Sequence, residues 1–166
     1  MNKANLIRAI NEPDNLEVRG GMMLASLYAG LAFSNSILGA VHAMAHSLGG
    51  FLDLPHGLCN AILLDYVIEF NFEAAPERYV EIGRAMGADI PDQAGIDEKK
   101  DLVIGAVRDL KRGAGVTQCL AELGVTPAMI SELAAKAVND PCMVTNPKHA
   151  TAEDLGKVYE KACRKR

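Results

Sequence analysis

His42-Ala43-Met44-Ala45-His46-Ser47-Leu48-Gly49-Gly50-Phe51-Leu52-Asp53-Leu54-Pro55-His56 carries three of the four histidines in this 166-residue chain. The fourth, His149, stands far downstream. His42 and His46 are four residues apart, so on an α-helix both project from one face. Gly49-Gly50 reads as the stop of that helix, because glycine takes the left-handed cap conformation without steric penalty. Leu52-Asp53-Leu54 makes a short connection. Pro55 then suits the first position of a returning helix, where its missing N–H costs nothing. His56 falls in the first turn of that second helix, where the positive end of the dipole favours a neutral imidazole, the form that ligates metals. Spacing alone allows two readings: a metal site, or three histidines hydrogen-bonded within a tight helical core. Asp53 and Asp65 are candidate oxygen ligands or orienters of the histidines, with capping or surface solvation as the alternative for each.

Working outward from this block, nearly everything reads as helix. Residues from roughly 14 to 34 are rich in Leu, Met, Ala and Gly, which suits a helix buried on most sides. Ser34-Asn35-Ser36 marks a break before the first histidine helix at about 37–48, and the helix opened by Pro55 extends to about 71. Pro76 opens another, closed by Gly87, and the Pro-, Gly- and Asp-bearing stretch 88–97 is a loop. Leu102, Val103, Ala106, Val107 and Leu110 recur at helical spacing over about 97–112, and Gly113 and Gly115 end that segment. A short helix near 117–122 precedes one starting at Thr126-Pro127 and running to about 138. Residues 140–147 read as extended or turn. Thr151 followed by Glu153 and Asp154 signals the N-terminus of the last helix. No strand pattern and no phosphate-binding glycine motif occurs. The fold class is therefore all-α, a helical bundle, in one domain spanning residues 1–166.

Composition narrows the function classes. A chain of this length buries roughly 70% of its unfolded surface, and 49% hydrophobic residues supply the core. The net charge of −4 gives no footprint for nucleic acid. Lys157, Lys161, Arg164, Lys165 and Arg166 cluster near the C-terminal end, where cations favour a helix dipole. Cys59, Cys119, Cys142 and Cys163 are scattered without CxxC spacing, as expected for reduced thiols in a cytoplasmic protein. No apolar run reaches the length of a membrane span, so no membrane partner is expected.

Gly39-Ala-Val-His42-Ala-Met-Ala-His46-Ser-Leu-Gly-Gly-Phe-Leu-Asp-Leu-Pro-His56-Gly-Leu-Cys59-Asn60-Ala61 resembles the signature of the iron-containing alcohol dehydrogenases. Gly30-Leu-Ala-Phe33-Ser-Asn35 resembles the family's preceding helix, and Thr145-Asn146-Pro147 with the last helix resembles its C-terminal tail. The resemblance runs along essentially the whole sequence. It implies the helical C-terminal domain of that family, within the dehydroquinate synthase-like superfamily. It also implies that His42 and His56 are ligands of a catalytic divalent metal, Fe2+ or Zn2+. His46 then lies beside nicotinamide and substrate, as a catalytic residue that orients them or relays a proton. Phe51 either walls the substrate pocket or packs in the core. In the family the metal acts as a Lewis acid on the alcohol oxygen and eases hydride transfer to NAD(P).

Family members set an α/β nucleotide-binding domain ahead of the helical one and hold their metal with one aspartate and three histidines. The aspartate and the first histidine belong further upstream of His42 than this sequence reaches. The expectation is half of a metal site. A separate N-terminal nucleotide-binding half is the expected partner, and the chain alone is expected to be inactive as a dehydrogenase. A homo-oligomer is also expected, because apolar surface that would face the rest of such an enzyme promotes self-association. The alternative function is a non-catalytic helical remnant, or an oligomerisation or metal-binding module.

Overall fold

A computed structural model describes residues 2–165, with side chains from residue 5 onward; Arg166 of the basic cluster lies outside the described residues. The helices are α1 (Asn2–Asn11), α2 (Leu16–Ser36), α3 (Ala40–Leu52), α4 (His56–Asn71), α5 (Pro76–Ala85), α6 (Ile96–Gly113), α7 (Pro127–Val138) and α8 (Ala152–Ala162). Short 3-10 turns at Phe72–Ala74, Leu120–Leu123 and Pro141–Thr145 connect some of them. No strand occurs among the described residues, in keeping with the all-α reading.

Two apolar clusters organise the bundle. In the larger, Met44 and Leu48 of α3, Ile62 and Leu63 of α4, Leu133 of α7, and Leu155 and Tyr159 of α8 are all essentially solvent-free. Tyr159 brings a hydroxyl into this core and satisfies it by donating to the Met44 carbonyl at 2.8 Å, which ties α8 to the middle of α3. The smaller cluster joins Ile68 and Phe72 at the end of α4 to Val80 of α5 and Val103, Ile104 and Val107 of α6. Helix α4 belongs to both clusters, and its all-round apolar character follows from that position.

Several boundaries differ from expectation for identifiable reasons. Helix α3 runs through Gly49-Gly50 to Leu52, and Asp53 rather than glycine takes the left-handed cap, at φ 54°. Phe51 and Leu52 pack against the larger core, and this burial outweighs the roughly 1 kcal/mol that each helical glycine costs. Aspartate tolerates the left-handed region better than most residues. Pro55 sits one position earlier than expected, as the cap, so His56 is the first residue of α4. Ser34, Asn35 and Ser36 do not break α2. Their side chains donate back to the carbonyls of Gly30, Leu31 and Ala32, and the chain turns at Ile37, φ 60°, bending α3 by 104° from α2. Pro141–Thr145 form a 3-10 turn within the stretch read as extended or turn. The capping box of α8 is present as read, with Thr151 and Asp154 bonding each other's backbone N–H.

The larger departure concerns the first two helices. Helix α1 forms where no element was expected, and it packs on α2. Helix α2 was expected to be buried on most sides, yet only Val18 and Ala25 are buried. Leu16 is 85% exposed and Met23 74%, with Leu27, Tyr28, Leu31 and Phe33 about half exposed. Its apolar composition reflects a surface that nothing else in the described chain covers. No single helix among the described residues is long and apolar enough to cross a membrane.

Candidate metal and substrate site

His42 and His46 of α3 meet His56, the first residue of α4. Ala43, Met44, Ser47 and Leu48 turn one face of α3 into the core, which leaves His42 half-buried and His46 exposed on the other face. The Asp53 cap reverses the chain and α4 returns His56 to them. Ring centroids are 5.4 Å apart for His42 and His56, 5.2 Å for His46 and His56, and 6.2 Å for His42 and His46. Burial, together with the neighbouring His56 and His46, holds the His42 imidazole below the usual histidine range. That is the direction that favours the neutral, ligating form.

The donor set fits a divalent ion. Two imidazoles that share one ion at about 2.0–2.1 Å place their ring centroids about 5 Å apart, close to the His42–His56 separation. Asn60, one helical turn after His56, donates to the His56 carbonyl at 3.0 Å and lies 3.0 Å from His56 Nε2, so it orients the ring. Its own Oδ1 is buried without a hydrogen-bond partner. His42 and His56 offer two imidazole donors, fewer than the three ligands of an ordinary catalytic zinc site.

His46 has a partner that sequence spacing could not supply. Its Nδ1 lies 2.9 Å from Asp140 Oδ2, 94 residues away in sequence, brought there by the packing of α3 on α7 and on the turn after it. Asp140 is fixed in turn, because its Oδ1 accepts the Cys142 backbone N–H at 2.8 Å. Burial works against the Asp140 carboxylate. The Cys142 N–H and His46 outweigh it and hold the carboxyl below its ordinary range. Burial and the adjacent carboxylate push the Cys142 thiol up to about 11. Asp140, Cys142 and Asn60 were not singled out from the sequence as site residues. An acid ahead of a Pro-Cys pair is a turn signal, not a site signal.

Three other candidates have structural places. Asp65 is buried, and it accepts from Arg108 Nε at 2.9 Å and from Lys111 Nζ. It is a structural ion pair between α4 and α6, neither a ligand nor a cap nor a solvated surface acid. Asp53 caps α3. Phe51 packs on the core with Lys136 Nζ 4.8 Å over its ring.

The α3 end of the site is held by Asn146. Its Oδ1 accepts the Ala40 N–H at 3.0 Å and the Asn71 amide at 2.9 Å. Its Nδ2 donates to Asn71 Oδ1 at 2.9 Å and to the Lys148 carbonyl. Gly39, the cap residue of α3, has no side chain to offer, and an added Cβ there would stand 3.1 Å from Asn146 Oδ1. A residue more than a hundred positions away thus caps the histidine helix.

The chain is thus an all-helical bundle that gathers three histidines from α3 and α4. Residues 2–163 match the model of the Fe-containing alcohol dehydrogenase family, C-terminal, and the chain belongs to this family. It is 38% identical to 1,3-propanediol dehydrogenase of Klebsiella pneumoniae over 95% of this chain and 41% of that protein. Lactaldehyde reductase of Escherichia coli (strain K12) is 40% identical over 85% of this chain and 37% of its own length. The solved alcohol dehydrogenase from Oenococcus oeni superposes with a TM-score of 0.91 at 38% identity, covering 96% of this chain and 42% of that one. The chain thus spans about two fifths of the length of the relatives it matches.

Proposed function

We propose that this chain is the metal-bearing side of an NAD(P)-linked dehydrogenase that interconverts an alcohol with an aldehyde or ketone. One observation carries the reading: three imidazoles from two helices converge to within 6.2 Å, with the most buried of them held toward its neutral form. In this reading His42 and His56 hold the ion, ferrous iron or zinc, which supplies Lewis acidity at the substrate oxygen when bound. Asp140 holds His46 at Nδ1, so His46 takes up or releases a proton at Nε2 while the carboxylate steadies the charged ring. Asn60 keeps the His56 ring from turning. Two relatives are named for 1,3-propanediol and lactaldehyde, which supports a short hydroxylated substrate.

The nicotinamide cofactor and the remaining metal ligands come, in this reading, from a nucleotide-binding half upstream, so the chain by itself turns over no alcohol. Four free cysteines fit a reducing, cytoplasmic setting. The test is metal analysis of purified chain joined to an NAD(P)-linked alcohol assay, with and without such a half. Activity, and metal retention sensitive to His42→Ala, that appear only with both halves support the reading. Stoichiometric iron or zinc held tightly by the chain alone and lost in His42→Ala would overturn the ligand count. A second reading, an association module with no catalysis, draws on the apolar face of α2. It gains if the chain forms a defined homo-oligomer and stays inactive in every pairing.

A further inference from the structure

We propose that His46, Asp140 and Cys142 form a second cation site, suited to a thiophilic divalent ion such as zinc and separate from the His42–His56 pair. One ring nitrogen, one carboxylate oxygen and the thiol sulfur of these residues lie within 4.8 Å of one another. The closest pair, His46 Nδ1 and Asp140 Oδ2, is 2.9 Å apart. Two such atoms sharing one ion at about 2.0–2.2 Å stand a few tenths of an ångström further apart than that, so a small opening admits an ion.

The turn is already shaped for this. Asp140 Oδ1 is engaged by the Cys142 N–H, so Oδ2 is the oxygen that exchanges its His46 hydrogen bond for the ion, with the thiol close by on the 3-10 turn that Pro141 opens. Imidazole, carboxylate and thiolate form a mixed nitrogen, oxygen and sulfur set that zinc accepts and magnesium or calcium does not. The charges also match, since one thiolate and one carboxylate neutralise a dication. His46 keeps 42% of its side-chain surface exposed and Asp140 17%, so the ion enters from solvent and water completes its coordination.

Binding releases the Cys142 thiol proton to solvent as the sulfur–metal bond forms. If Nδ1 of His46 is the ligating nitrogen, its proton passes to Nε2, so one proton is released overall. Nothing is oxidised or reduced. Occupancy would immobilise His46, the proton carrier of the proposed dehydrogenase. The site therefore offers inhibition by zinc, and its existence does not depend on that function.

The experiment titrates the reduced, metal-stripped chain with cadmium and follows thiolate-to-cadmium charge-transfer absorption in the ultraviolet, with elemental analysis for stoichiometry. The expected result is absorption that saturates at one thiolate-bound ion per chain. It is abolished by Cys142→Ser and by Cys142→Ala, kept by Cys163→Ser, kept by His42→Ala, and shifted to at least tenfold weaker binding by Asp140→Asn. Circular dichroism confirms that each variant retains its helices. No thiolate absorption in the parent chain overturns the proposal, as does absorption that survives both Cys142 variants. Unchanged affinity in Asp140→Asn removes the three-donor site. Loss of the absorption in His42→Ala means that Cys142 serves the His42–His56 ion, which overturns the second site and leaves the proposed dehydrogenase reading standing.

Discussion

Asn146→Ala is the substitution through which the assembly of the histidine site is best tested. It removes the oxygen that caps α3 at the Ala40 N–H, a contribution of about 1 kcal/mol for an ordinary cap. It also takes away two hydrogen bonds of 2.9 Å from the Asn71 side chain, which is 3% exposed and keeps only its Tyr79 contact. Leaving a buried amide short of partners costs about 1–3 kcal/mol. The sum is a loss of about 3 kcal/mol, which lowers Tm by about 6–12 °C in a chain of this size. Urea unfolding followed by circular dichroism measures it, provided the slope against denaturant stays constant. A cycle with Asn71→Ala isolates the pair, and its coupling is expected to be about 1–2 kcal/mol. A loss below about 1 kcal/mol, or strict additivity in the cycle, would refute the role given to Asn146 as the remote cap of the histidine helix.

Three further outcomes are expected. Asp65→Asn leaves Lys111 and Arg108 without their buried acid and is expected to destabilise by about 2–4 kcal/mol after allowing for the exposure of Arg108; a urea midpoint within error of the parent would show the pair to be dispensable. Because His42 has a folded pKa below its ordinary 6.5, the unfolded chain binds more protons there. Metal-free stability is therefore full above that value and falls as pH drops through it toward the folded pKa. His42→Gln should flatten the fall that sets in as pH drops below the ordinary histidine value, and an unchanged slope would assign it to other groups. In the homo-oligomer reading proposed above, Leu27→Glu with Leu31→Glu places charge on the exposed apolar face of α2 and is expected to abolish the parent's concentration-dependent association in sedimentation velocity; a parent chain that shows none, or association that persists in the variant, refutes the role given to this face.

Much of the architecture is legible in local sequence. The i,i+4 histidines, the prolines that open α5 and α7, the Thr151–Asp154 box and the apolar spacing of α6 each depend on contacts within a turn or two. Gly49-Gly50 misleads because helix propensity is a weak local term, and the burial of Phe51 and Leu52 against the core overrides it. Ser34-Asn35-Ser36 misleads for a related reason: these side chains bond to the preceding turn while the helix continues.

By itself the sequence determined that the chain is helical, that His42 and His46 share a helix face, that His56 opens the next helix, and that the whole resembles one family. These follow from period, cap and turn chemistry, which act between near neighbours. Tertiary structure alone decided which distant groups reach the histidines and their helix. Asp140 reaches His46 and Asn146 reaches Ala40 only because α3 packs against α7 and the turn that follows it. Asp65 turns from a candidate ligand into a buried partner of Arg108 and Lys111 because α4 lies against α6. Helix α2 carries a core-like composition and yet stands exposed. Hydrophobicity records that a face is suited to burial; only the three-dimensional packing shows whether anything in the described chain buries it.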